Sequence, residues 1–88
     1  MTVFVLLEDN PRDALAAVIK REFPDDHLQL HTGHWLIKAD GITTQGLCER
    51  LGIVEGSGFG GTAAFAVSGY YGLHTSNTWE WLKTKWSS

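Results

Sequence analysis

The chain has 88 residues, ten acidic and seven basic side chains, and a formal charge of −3, which suits one small domain built on a single core. Binding nucleic acid through bulk charge needs clustered Lys and Arg, so that mode is not expected here. The lone Cys48 rules out an internal disulfide, and the longest strongly apolar run, Val3 to Leu7, is far shorter than the ~20 residues that cross a bilayer.

Thr2 to Leu7 (TVFVLL) is β-branched or apolar at successive positions, the pattern of a strand buried on both faces at the centre of a sheet. Asn10 as N-cap and Pro11 at the first helical position predict a helix running to about Glu22. Leu15, Val18, Ile19 and Phe23 lie on its apolar face, and Pro24-Asp25-Asp26 stops it. His27 to Ala39 holds two alternating pieces broken at Thr32-Gly33. A hairpin is expected there, with one long bulged strand as the alternative. Thr43 is the expected N-cap of a second helix, with Ile42 and Leu47 as its hydrophobic staple. Leu47, Cys48 and Leu51 form its buried stripe, and Gly52 ends it in the left-handed conformation. Gly46 inside this helix costs about 1 kcal/mol relative to Ala.

Val54 to Gly61 (VEGSGFGG) reads as a flexible connector, with Phe59 tucked beneath it or left as a contact residue. Thr62 to Ser68 then alternates, placing Phe65 and Val67 on one face and Ala64 and Ala66 on the other. Asn77 to Glu80 (NTWE) has a capping-box arrangement and opens a final helix over about 77–86. Trp79, Leu82 and Trp86 follow one stripe of that helix, and Trp81 lies off it. The order strand, helix, strand, strand, helix, strand, helix predicts a single α+β domain over 1–88. The simplest arrangement is a ferredoxin-like βαββαβ sandwich with an additional C-terminal helix. Two helices cover only one side of such a sheet. Val3 to Leu7 and Trp35 to Ile37 are apolar on both sides, so the terminal helix, a partner chain or both must cover the other. A homodimer is expected.

Four constellations carry candidate chemistry. Glu8 and Asp9 close the first strand, where a dimer would bring carboxylates together around Mg²⁺; the plainer reading makes Asp9 and Asn10 turn and capping residues. His31 and His34 bracket the hairpin and would share a zinc ion if Asp26 or His74 completed the set; histidines without a ligand role are commoner. The Gly56-to-Gly61 loop offers backbone N–H groups to an anion, but it follows a helix and lacks the lysine of phosphate loops. Tyr70, Tyr71 and Trp81 would suit base stacking. Packing or a protein interface fits them better, and Trp35, Trp79 and Trp86 join them as interface candidates. Cys48 belongs to a buried stripe, and no serine sits in an elbow motif, so no catalytic triad is assigned.

Asp9 closing the first strand, Trp35-Leu36-Ile37-Lys38-Ala39-Asp40 leading into a Thr-capped helix, and the late Trp81-Leu82-Lys83 together resemble small SinR-like proteins. These are grouped beside the ferredoxin-like CRISPR-associated integration subunit. The resemblance implies the βαββαβ fold, dimerisation and a bacterial or phage accessory or defence-related role. It also matches Asp9 to the proposed magnesium ligand of the CRISPR-associated relatives. The leading expectation is a cytoplasmic, non-enzymatic, homodimeric protein-interaction module without a cofactor. Its rivals are a Mg²⁺-dependent phosphodiesterase (a nuclease) using Asp9 and a small acidic inhibitor of a nucleic-acid-binding complex.

Overall fold

Strand β1 (Val3–Glu8) is central, as its unbroken apolar run requires. A computed structural model describes residues 2–69 and 76–86. After β1 come α1 (Asp13–Glu22), β2 (His27–His31), β3 (His34–Lys38), α2 (Thr44–Leu51), β4 (Thr62–Val67) and α3 (Ser76–Trp86). The sheet order is β2-β3-β1-β4, and every neighbouring pair is antiparallel. The fold is therefore α+β: β3 lies between β1 and β2, and the β3–α2–β4 connection carries the chain across β1. No helix of the described residues is long and apolar enough to cross a membrane.

Alternation along the strands sorts side chains onto two faces. Phe4, Leu6, Trp35 and Ile37 point toward α1 and α2, where they join Leu15, Ile19, Leu47 and Leu51 in the larger core cluster. Val3 and Leu36 point the other way and meet Leu82 of α3 in a second cluster. Both faces of β1 are thus occupied, the condition that its sequence encodes.

The helix ends show which local signals prevail. Thr43 caps α2 as expected, its Oγ1 accepting the Gly46 N–H at 2.9 Å. A Cβ on Gly46 would lie 3.3 Å from that same oxygen, so the glycine leaves the cap room. Gly52 ends α2 at φ 79°, with its N–H directed at the Cys48 and Glu49 carbonyls.

The α1 start departs from expectation. Arg12, not Asn10, is the N-cap, and it provides no side-chain cap. Pro11 is engaged elsewhere: it packs so closely on the hairpin that a Cβ on Gly33 would sit 2.7 Å from its ring. Glu8 takes over part of the capping by accepting the Arg12 N–H at 3.3 Å.

The β2–β3 connection is both a hairpin and a bulge, because the register slips between Gln29 and His31. Gly33 forms its turn at φ 82° and gives its carbonyl to the Glu8 N–H at 2.8 Å.

Candidate interaction surface

The sheet face opposite α1 and α2 is closed over only part of its width. Trp79, Trp81 and Trp86 of α3 pack with Leu82 against Val3, Val5, Leu28, Leu30 and Leu36. Lys85 Nζ pairs with Asp26 Oδ1 at 2.8 Å, fixing the last turn of α3 beside the start of β2. The helix therefore serves the β2–β3 side. On the β4 side, the cross-strand pairs Val3–Val67, Val5–Phe65 and Leu7–Ala63 share this same face. There Phe65 remains 54% exposed and Leu7 39% exposed. These are two of the three large apolar side chains exposed among the described residues, the third being Val54.

The edge beside this patch has a definite polarity. The Glu8 N–H donates to Gly33 and the Asp9 N–H donates to Gly61, each at 2.8 Å. Alternation along β1 then turns the backbone groups of Val3, Val5 and Leu7 toward β4. Their partners Val67, Phe65 and Ala63 use their N–H and C=O groups inward. The backbone groups of Thr62, Ala64 and Ala66 point away from the sheet, and no strand among the described residues pairs with them. From Gly60 to Gly69 the sequence contains no charged residue and no proline.

The residues singled out from sequence fall in different places. Trp35, expected at an interface, is instead 1% exposed in the larger core cluster, and its indole donates to Glu8 Oε2 at 3.1 Å. Glu8 is itself buried and holds both that indole and the Arg12 amide, so its carboxylate is engaged in the fold. Asp9 is exposed at the end of β1 beside Gly61, and the two carboxylates do not converge. His31 and His34 are cross-strand partners with ring centroids 5.6 Å apart. Asp26 lies at the opposite end of β2, bound to Lys85. Among the described residues, no group of three or more His, Cys, Asp or Glu side chains is placed to hold a metal ion. Tyr70, Tyr71 and His74 lie outside the described residues. Trp79, Trp81 and Trp86 are half-buried, and they close the domain's own outer face.

The glycine-rich connection is tied down around Phe59. Phe59 packs on the larger core, and Arg12 donates to the Gly60 carbonyl at 3.3 Å. Ser57 Oγ accepts the Phe59 N–H at 3.2 Å. The expected free connector is thus a fastened loop whose hydrogen bonds serve the chain itself. Cys48 is half-buried, and burial pushes its thiol up from the ordinary value, which leaves it a poor nucleophile.

A hollow of about 210 Å³ lies at the other end of the sheet among Glu22, Phe23, Asp25, Lys38, Asp40 and Arg50. Its charges are largely matched internally. Arg50 reaches Glu22 Oε1 at 3.2 Å and stacks 4.4 Å over Phe23; with Arg21 it holds the Glu22 carboxyl below its usual range. Lys38 does the same for Asp40 at 3.2 Å. A shallow hollow with its ions already paired has little left with which to recognise a ligand.

Comparison with family models, with curated proteins and with solved structures gives no match. The open β4 side of the sheet is consequently the feature on which a functional reading stands. Sequence reasoning did not single out Phe65 and Leu7 as exposed apolar residues. The available signal was a single large side chain in an otherwise small, uncharged strand.

Proposed function

We propose that this chain is a non-enzymatic protein-interaction module that works as a homodimer. The observation that carries the reading is that a half-exposed Phe65 and a partly exposed Leu7, on neighbouring strands, share a sheet face that α3 covers only in part. Burying a phenylalanine or leucine fully is worth roughly 1.5–3 kcal/mol relative to exposure, so a partner that covers both gains substantially.

A ferredoxin-like assignment belongs to the same proposal. Its support is the placement of β3 between β1 and β2, with α1 and α2 sharing one core against the sheet. The likeness to SinR-like proteins, and the cytoplasmic bacterial or phage accessory role that goes with it, rests on the residues quoted from sequence.

Light scattering across a concentration series tests the reading. The wild type is expected to approach twice the chain mass of 9.7 kDa, and Phe65→Ser to stay nearer the monomer with an unchanged circular dichroism spectrum. A wild type that remains monomeric at every concentration contradicts it.

A further inference from the structure

The geometry points to the outer edge of β4 as the contact. A second copy of this chain pairs with it antiparallel about a two-fold axis at Phe65, joining two four-stranded sheets into one of eight. This inference rests on the homodimer reading above and assigns the surface, the partner and the register.

Three features of the edge select a second copy. The outward backbone groups of Ala64 and Ala66 stand symmetrically about Phe65. A two-fold axis there sets Ala64 opposite Ala66 of the second copy, and Ala66 opposite its Ala64. Each such pair exchanges two N–H···O bonds. Thr62 comes opposite Ser68 of the second copy, just beyond the strand. The side chains suit the same register: the two Phe65 rings become direct cross-strand neighbours on the open face, next to Leu7 and Val5. Aromatic pairs at such positions add to the stability of the pairing.

Charge favours contact along this strip. Each copy carries a formal charge of −3, so most approaches of one copy to another bring like charges together. The stretch from Gly60 to Gly69 is neutral. It offers a charged partner nothing to pair with, and an identical neutral strip nothing to repel. It also lacks the lysine, proline or bulge that commonly blunts an edge strand.

Cysteine cross-linking tests the register. In a Cys48→Ser background that keeps Phe65, Ala63→Cys combined with Val67→Cys places each cysteine Cα ~4.5 Å from its partner on the second copy, within the range a disulfide accepts. Either substitution alone leaves its cysteine about 13 Å from its own counterpart. A covalent dimer is expected on oxidation of the double variant and of neither single variant.

A second variant tests the edge hydrogen bonds. Ala66→Pro removes an outward N–H without touching the ladder to β1, and it is expected to weaken dimerisation at least tenfold. If the proline variant does not fold, Ala66→Lys serves the same purpose by putting charge on the edge. A dimeric wild type whose double-cysteine variant does not cross-link and whose edge variants remain dimeric overturns the β4 assignment and leaves self-association through another surface. A wild type monomeric throughout overturns both.

Discussion

The two edges of the sheet are finished in opposite ways. At β2 the register slips at a bulge, two histidines occupy the hairpin end, and α3 is fastened alongside by the Lys85–Asp26 pair. At β4 six neutral residues run in regular register, and no strand among the described residues pairs with their outer side. The same contrast runs across the outer face, which is sealed by tryptophans over β2 and β3 and open around Phe65. A chain this short has one helix to spare for that face. Where the helix is placed decides which edge remains able to pair.

Substitutions in the two buried clusters set the upper end of the expected effects. Trp35→Ala should cost about 3–5 kcal/mol, the range for truncating a buried aromatic residue. It also strips Glu8 Oε2 of its indole donor, so denaturant titration should show a largely unfolded protein. Leu82→Ala removes the residue of α3 that is 4% exposed at the heart of the second cluster. It is expected to cost about 2–3 kcal/mol, the lower part of the buried Leu→Ala range. A loss under 1 kcal/mol would mean that α3 is a loose cover, and the contrast between the two sides would weaken.

Gly33→Ala should cost about 1–3 kcal/mol from left-handed backbone strain alone, with the crowding against Pro11 added. Thermal denaturation measures it, and tolerance of alanine would show that the hairpin moves freely from Pro11. On the open side the expectation reverses. Phe65→Ser should change monomer stability by no more than ~0.5 kcal/mol, as at other exposed sites, measured by denaturant titration at low protein concentration.

The smallest effect is acid sensitivity. Glu22 and Asp40 have folded-state values held below their ordinary 4.5 and 3.8 by Arg50, Arg21 and Lys38. Their contribution is complete above those ordinary values and disappears as pH falls through the lower folded ones. Both pairs are exposed, so the change should be slight. An Arg50→Gln variant should show a flatter stability profile below pH 4.5 than the wild type.

Much of the framework was legible in local chemistry. The apolar run of Val3 to Leu7, the Thr43 cap, the Gly52 terminator and the break at Thr32-Gly33 each depend on near neighbours, and the structure has them where expected. The burial of the candidate site residues was not legible. Trp35 is exposed or buried according to which face α1 covers, and Glu8 is a ligand candidate or a core acceptor according to where the Trp35 indole arrives. Asn10 and Pro11 make a good helix start by local rules, yet contact with Gly33 shifts the start to Arg12. The openness of Phe65 depends on the lateral position of α3, which no local pattern in the chain encodes.

Amide hydrogen exchange along β4, followed as protein concentration rises, tests the central claim most directly. The amides of Ala63, Phe65 and Val67 face β1 and should be protected at every concentration, whereas those of Thr62, Ala64 and Ala66 should exchange quickly when dilute and slow as copies pair. Outward amides that remain fast at all concentrations, or that are already as protected as the inward set at high dilution, would contradict the account.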